Sequence, residues 1–244
     1  QRLLSEIVDR RLLRADGVIG LYPAASDGDD IVLYADESRE RERMRLPQLR
    51  NQQVDRERNL SLADFVAPLG SGVKDYVGAF AVTAGLGLEE LAGRYRSEGD
   101  DYRAIMAKLL TDRLTEAFAE ALHRYARVTL WGYEREGQWS VGDLLAEKYQ
   151  GIRPAFGYPS APDHSLKADV FALMDVGTVT GMTMTESYMI VPGEAACGLM
   201  LGHPEARNFS VGRIDSEQLA SYAARRGTDP EKMRVLIPQH LIDM

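Results

Sequence analysis

The sequence contains a single cysteine among its 244 residues, which excludes an internal disulfide and a zinc cluster built on cysteines. It has no run of 18 apolar residues, so we expect no membrane-spanning helix and no membrane partner. The first residues carry a charge every few positions, unlike the apolar region of a signal peptide. These absences together favour a cytoplasmic protein.

The signatures of several self-contained enzymes are also missing. The chain has no GxGxxG, GxxxxGK[ST] or GxSxG motif. Its four histidines do not pair at the spacing of metal ligands, so we expect no metal site, and His123 is assigned a structural role on its helix. Cys197, among small residues, is interpreted as a buried structural thiol rather than a nucleophile. No catalytic residue is predicted, and the net charge of -8 argues against a nucleic-acid partner.

The hydrophobic patterns predict an α+β fold, because strands cluster at both ends of the chain around a helical middle. We expect a single domain over residues 1–244 with a mostly antiparallel sheet and a long central helix. That helix is predicted to start at the N-cap Asp100 and to bury a stripe including Ile105, Leu109 and Phe118. The predicted helices are 1–14, 88–99, 100–131, 140–150, 165–176, 215–227 and a last helix with Pro230 at its first position, and the predicted strands are 17–24, 30–36, 76–85, 186–192, 196–204 and 207–214.

The charged, amide-rich segment 37–60 is predicted to contain a helix. Within it, the arginines of Arg39–Arg50 alternate with Glu40 and Glu42, so the local charge is nearly balanced. We interpret this stretch as a solvated helix or connector. A docking patch for an acidic partner is the alternative.

Residues 151–164 contain three prolines and two glycines and therefore cannot form regular structure. A long loop that is stiffened by prolines is typical of a binding segment. Arg153 offers a planar guanidinium for a carboxylate, and Tyr158 offers a flat apolar face with a polar tip. The pattern suggests a small anionic or zwitterionic ligand, adenine-containing ones included; the alternative is a rigid surface loop.

The string YQGIRPAFGYPSAPDH (149–164) resembles the RPAxGYPxxPDH signature of the activation domain of cobalamin-dependent methionine synthase. Other segments resemble the same family in the same order, so the resemblance covers nearly the whole chain. These segments are RADGVIGLYPA (14–24), DDIVLYAD (29–36), LADFVAPLGSG (62–72), DYVGAFAVTAG (75–85), DRLTEAFAEALH (112–123), TESYMIVPG (185–193) and GHPEARNFSVGRI (202–214).

The resemblance implies a domain with a twisted antiparallel sheet that binds S-adenosylmethionine across the loop. It implies that Arg153 binds the methionine carboxylate, that the backbone at Ala155 and Gly157 contacts the adenosine, and that Tyr158 lies beside the sulfonium and the cobalamin. Glu116 and Glu147 are implied to line the site, where they serve the α-amino group or position Arg153.

The implied function belongs to a larger methyltransferase of methionine biosynthesis. S-adenosylmethionine would donate its methyl group to cob(I)alamin during reductive reactivation. The cobalamin would be held mainly by another domain of the same enzyme, and a flavodoxin-like protein would supply the electron. Because the chain begins inside a predicted helix, we expect it to be a fragment of such a multidomain enzyme.

Two segments depart from the family pattern. Asn208 and Phe209 stand where the family usually has two tyrosines that contact the ligand, and EAACG (194–198) replaces a serine-rich segment. A ligand-binding aspartate of the family lies upstream of Gln1. These departures motivate an alternative function, a stand-alone corrinoid-reactivation or regulatory module with the same fold and weak or no S-adenosylmethionine binding.

Overall fold

The computed structural model describes residues 2–53 and 58–241. The helices of this part of the chain are α1 Arg2–Asp9, α2 Leu88–Ser97, α3 Asp101–Tyr125, α4 Val141–Leu145, α5 Leu166–Met174, α6 Val176–Thr180, α7 Ser216–Arg225 and α8 Pro230–Leu236. The strands are β1 Arg14–Asp27, β2 Asp30–Tyr34, β3 Glu42–Pro47, β4 Asp75–Leu86, β5 Thr183–Met184, β6 Ile190–Val191 and β7 Ala195–Leu201. Short 3-10 helices cover Leu62–Phe65 and Pro238–His240, and a π-helical turn, Ala126–Leu130, follows α3.

Five strands form one antiparallel sheet in the order β3-β2-β1-β4-β7, which confirms the predicted α+β class. Side chains alternate between its two faces along β4. Phe80 and Val82 point to α3, whereas Ala79 and Ala81 join the main core beneath α5 and α6. The sheet is therefore the middle of three layers, with α3 on one side and α5 and α6 on the other.

The start of the chain differs from the prediction. α1 ends at Asp9 rather than at residue 14, because Arg11 adopts a left-handed conformation (φ 50°) and the Leu12 amide donates back to the Ile7 carbonyl. β1 then begins at Arg14 and continues through Pro23, where a strand end was predicted. Pairing with β2 starts only at Ala24, so the proline, which has no N–H to donate, is tolerated in the strand.

The helix predicted within 37–60 is wrong for the described part of that segment. Glu42–Pro47 is an edge strand instead, because Met44 and Leu46 alternate with arginines and turn towards the core. Arg45 pairs with Asp27, Asp30 and Glu42, so its charge is already compensated within the chain. The interpretation of this stretch as a solvated helix is therefore replaced by an edge strand with local ion pairs. Residues 54–57 lie outside the described residues.

The long helix α3 is confirmed, and the Asp100 side chain accepts a hydrogen bond from the Arg103 amide as its N-cap. Its predicted buried stripe is wrong in part, since Ile105 and Leu109 are exposed. The buried positions are mostly small or polar, and they let the helix approach β4 closely enough for the Ala84 amide to donate to Thr115 Oγ1 (3.1 Å). These buried positions are Ala104, Ala107, Thr111, Thr115, Ala119 and His123.

The predicted meander of three strands after residue 185 is also wrong. β6 pairs with β5 in a separate two-stranded sheet, β7 pairs with β4, and residues 207–213 form no strand. Segment 207–214 instead connects two hydrophobic clusters, because Phe209 packs against both. The second cluster lies beneath α7 and α8 and includes Leu219, Tyr222 and Met233.

The caps of the last helices agree with the prediction except in one detail. Asp215 accepts from the Gln218 amide, and Pro230 opens α8 behind the N-cap Asp229. The Gln218 side chain does not close a capping box, because it bonds the backbone of Arg50. None of the helices in the described residues is long and apolar enough to cross a membrane.

Candidate functional site

A cavity of about 340 Å³ lies between the C-terminal half of α3, strand β7 and the proline-rich loop, residues 151–164. Seven of the eight residues predicted to surround a ligand line this cavity, namely Glu116, Glu147, Arg153, Ala155, Tyr158, Asn208 and Phe209. The remaining lining residues are Phe80, Ala119, Tyr149, Gly151, Ile152, Pro154, Pro159, Ser160 and Ala196. The structure therefore brings together side chains that lie far apart in the sequence.

The loop is fixed to the free edge of β7 by backbone hydrogen bonds. The Ile152 and Leu201 amides each donate to the other residue's carbonyl (2.9 Å), and the Leu199 amide donates to Pro154 O (3.0 Å). Gly198 is required for this close approach, since a Cβ there would lie 2.1 Å from Pro154 O. The loop is irregular, as predicted, yet it is held like a distorted sixth strand.

A tight turn then presents Tyr158 at the mouth of the cavity. The Gly157 amide donates to Ala161 O, and the Ala161 amide donates to Tyr158 O. Gly157 has a left-handed φ of 94°, and a Cβ at this position would lie 2.4 Å from His164 Cε1. Gly157 is not among the residues that line the cavity, so the structure gives it a role in the turn. Tyr158 is 56% exposed.

Arg153 is held by two partners through one nitrogen. Its Nη1 donates to Glu120 Oε2 (2.5 Å) and to the Tyr149 hydroxyl (2.7 Å). Burial disfavours the charged guanidinium, but Tyr149 and Glu120 outweigh it and raise the pKa of Arg153 above its ordinary value. The guanidinium therefore stays charged at the cavity wall.

A second arginine, Arg127, lies behind this contact and is fully buried. Its guanidinium carbon lies 3.7 Å from the centre of the Tyr149 ring, and its Nε donates to Glu134 Oε2 (2.7 Å). The ring of His123 meets the same tyrosine edge-on, with 5.3 Å between the ring centres. Burial raises the pKa of Tyr149 to about 12, so its hydroxyl stays protonated.

The two acidic residues predicted for the site occupy its walls but do not hold Arg153. Glu147, with a left-handed φ of 50°, accepts a hydrogen bond from Asn208 Nδ2 (3.1 Å). Glu116 lies near Tyr158 and, after burial, contributes to raising the pKa of that tyrosine. Among the described residues, neither carboxylate makes an ion pair.

A family model described as vitamin B12 dependent methionine synthase, activation domain, matches residues 1–227. The chain belongs to this family. The solved structure of the MetH reactivation domain bound to AdoHcy is similar to this activation domain, with a TM-score of 0.96 and 41% sequence identity. That match covers 100% of this chain and 75% of the other.

Sequence reasoning missed the residues that hold Arg153 in this activation domain. Glu120 follows Glu116 by one helical turn on α3, and that spacing was the available signal. Tyr149 stands at the start of the distinctive string 149–164 but outside its RPAxGYPxxPDH signature, and Arg127 had no comparable signal. The departures at Asn208 and Phe209 do line the cavity, as does Ala196 of the EAACG segment.

Proposed function

We propose that this activation domain binds S-adenosylmethionine in the cavity and presents its methyl group to cob(I)alamin during reductive reactivation of methionine synthase. The hydrogen bonding of Arg153 is the observation that supports this proposal. Its Nη1 is engaged by Glu120 and Tyr149, whereas no described residue bonds its Nε or Nη2. That remaining edge fits a carboxylate side-on with two hydrogen bonds.

The charges around the cavity support the same ligand. S-adenosylmethionine carries one carboxylate, one ammonium and one sulfonium, and so it has an excess of positive charge. Arg153 would bind the carboxylate, while Glu116 and Glu147 would face the cationic groups. The backbone at Ala155 would contact the adenosine. AdoHcy, which the similar reactivation domain binds, is this ligand without its methyl group.

When bound, S-adenosylmethionine supplies a methyl group on a sulfonium, and the reduced corrinoid supplies the nucleophile. The leaving group is a neutral thioether, so the chain needs no general base, and its residues contribute orientation and exclusion of water. Tyr158 would cover the sulfonium at the mouth of the cavity with its aromatic face. The cobalamin-binding domain of the same enzyme and a flavodoxin-like electron donor are the partners that this function requires.

Replacing Arg153 tests the proposal. Arg153→Ala should weaken S-adenosylmethionine binding roughly 10- to 100-fold, because it removes a charge-assisted pair of hydrogen bonds. Isothermal titration calorimetry on the wild type, Arg153→Ala and Arg153→Lys would measure this. The lysine variant keeps the charge but not the planar fork, so it should lie between the other two. Equal affinities for all three proteins would refute the carboxylate assignment.

The alternative function, a corrinoid-reactivation or regulatory module that binds S-adenosylmethionine weakly or not at all, has one observation in its favour. Asn208 bonds Glu147 where the family usually has a tyrosine that contacts the ligand. Absence of wild-type binding at millimolar S-adenosylmethionine, together with retained association with a cobalamin-binding domain, would favour this alternative. Tight wild-type binding would eliminate it.

A further inference from the structure

We infer that Glu120 and Tyr149 are positioning residues that fix the orientation of Arg153 for a ligand carboxylate. The inference rests on the proposed function, because it concerns how the same cavity recognises its ligand. Neither residue needs to touch the ligand, since both act through Nη1 of Arg153.

The side chains of Arg153, Glu120 and Tyr149 form a closed triangle of hydrogen bonds. The two protons on Arg153 Nη1 go to Glu120 Oε2 and to the Tyr149 oxygen. The Tyr149 hydroxyl in turn donates to Glu120 Oε2 (3.0 Å). Each group therefore stabilises one orientation of the other two, and rotation of the guanidinium would break two bonds at once.

The support for this triangle comes from the buried Arg127. Its Nη2 lies 3.4 Å from Glu120 Oε1, so each oxygen of Glu120 faces a different arginine. Its guanidinium packs on the Tyr149 ring, and Glu134 neutralises it at 2.7 Å. A fully buried ion pair adds little to stability because desolvation offsets the attraction, but it restricts the positions of the groups around it.

The consequence for binding is a guanidinium that is already ordered. A free arginine side chain loses rotamer entropy when it binds a ligand, and ordering it beforehand removes that cost from the binding step. Because Nη1 is occupied, the edge formed by Nε and Nη2 is the one that a carboxylate can use. Ligands that lack a carboxylate gain nothing from this arrangement.

A purely electrostatic role for Glu120 predicts the opposite result. Removing its negative charge would leave Arg153 and Arg127 less neutralised and would strengthen their attraction for the ligand carboxylate. A positioning role predicts instead that removing the Glu120 charge weakens binding of the ligand. Tyr149→Phe separates the two effects more cleanly, because it deletes one hydroxyl and keeps both the charge and the ring that packs on Arg127.

The experiment is calorimetric titration of the chain with S-adenosylmethionine and with decarboxylated S-adenosylmethionine, which keeps the ammonium and the sulfonium. Tyr149→Phe and Glu120→Gln should each weaken S-adenosylmethionine binding about tenfold and leave the decarboxylated ligand within about twofold. In an Arg153→Ala background, neither substitution should weaken binding further, because the group that they orient is gone.

Glu90→Gln is the matched control, since Glu90 is an exposed carboxylate on α2, and it should bind both ligands as the wild type does. Two outcomes would overturn the positioning role while leaving the proposed function intact. One is wild-type affinity in Tyr149→Phe. The other is an equal loss of affinity when the substitutions are made in the wild type and in the Arg153→Ala background. A wild type that binds neither ligand would instead overturn the proposed function. Thermal unfolding of each variant checks that the fold is retained.

Discussion

At the scale of single residues, the surroundings of His123 determine its protonation state. It is fully buried on α3, and neither ring nitrogen has a hydrogen-bond partner among the described residues. Burial, and after it the charges of Arg127 and Arg153, hold its pKa well below the ordinary value. The imidazole is therefore neutral, and it serves as an apolar ring packed edge-on against Tyr149.

This neutrality makes stability depend on pH. Below a pH of about 6.5 the unfolded chain protonates His123 and the folded chain does not, so the free energy of unfolding falls as the pH falls. Between pH 7.5 and 5.5 this residue should lower the free energy of unfolding by at most about 1.4 kcal/mol, the limit set by the ordinary pKa of histidine in the unfolded chain. His123→Gln should lose that part of the pH dependence, as measured by urea unfolding at the two pH values.

His164 stays in both proteins, so the comparison isolates His123. Its own pKa is lowered by burial and by Lys167, and that contribution cancels in the difference. An identical pH dependence in wild type and His123→Gln would show that the buried imidazole takes up its proton in the folded state.

At the scale of elements, the contact between β7 and the proline-rich loop determines the shape of the cavity. Gly198→Ala would place a Cβ against the backbone of Pro154 and Ala155, so the loop must move away from the strand. We expect a loss of about 1–3 kcal/mol in unfolding free energy. The S-adenosylmethionine affinity should fall at the same time, because Arg153 is carried by the displaced loop.

Gly93→Ala is the control for this substitution. Gly93 lies inside α2 with nothing within 4 Å of the added Cβ, so the variant should gain roughly 0.5–1 kcal/mol in denaturant unfolding and bind normally. A Gly198→Ala protein with wild-type stability and affinity would show that the loop adapts without altering the cavity.

The elements also show which features a sequence can predict. Strand β4 and helix α3 were predictable, because alternation, length and the Asp100 cap are local signals. Strand β3 was mistaken for part of a helical segment because arginine and glutamate favour helices, although Met44 and Leu46 alternate. The buried face of α3 was misjudged because close packing on β4 selects small side chains and leaves the larger Ile105 and Leu109 outside.

The candidate site, too, could be predicted only where the sequence carries a local signal. Arg153 and Tyr158 stand in a distinctive local string, and the sequence alone is enough to single them out. The bond between Arg153 and Glu120 joins residues that are 33 positions apart, and it depends on how α3 crosses β7. No local pattern encodes such a crossing, so the residues that orient Arg153 became visible only in three dimensions.

At the scale of the whole molecule, Asp163 connects the loop to the C-terminal cluster. This buried carboxylate accepts from the Tyr222 hydroxyl (2.8 Å) and from the Ser165 amide (2.8 Å), and Arg226 Nε lies 3.6 Å away. Two of these contacts come from α7 and the residue that follows it. Helix α7, which covers the second cluster, therefore helps to hold the end of the loop that forms the cavity.

Tyr222→Phe tests this connection. It removes one bond to a buried charge without changing the packing of the ring, so the free energy of unfolding should fall by about 1–3 kcal/mol. Amide hydrogen exchange should accelerate in residues 155–165 as well as in α7. Tyr125→Phe, at a half-exposed tyrosine on α3, should change neither quantity. Faster exchange confined to α7 would show that the loop is held independently of it.

The attachment of the loop to β7 has a further consequence, for self-association. An uncovered edge strand offers unpaired amides and carbonyls to a second chain, and this is a common route to aggregation. The backbone of Ile152, Pro154 and Phe156 occupies those groups on β7. The loop that forms one wall of the cavity therefore also prevents β7 from pairing with a strand of another molecule.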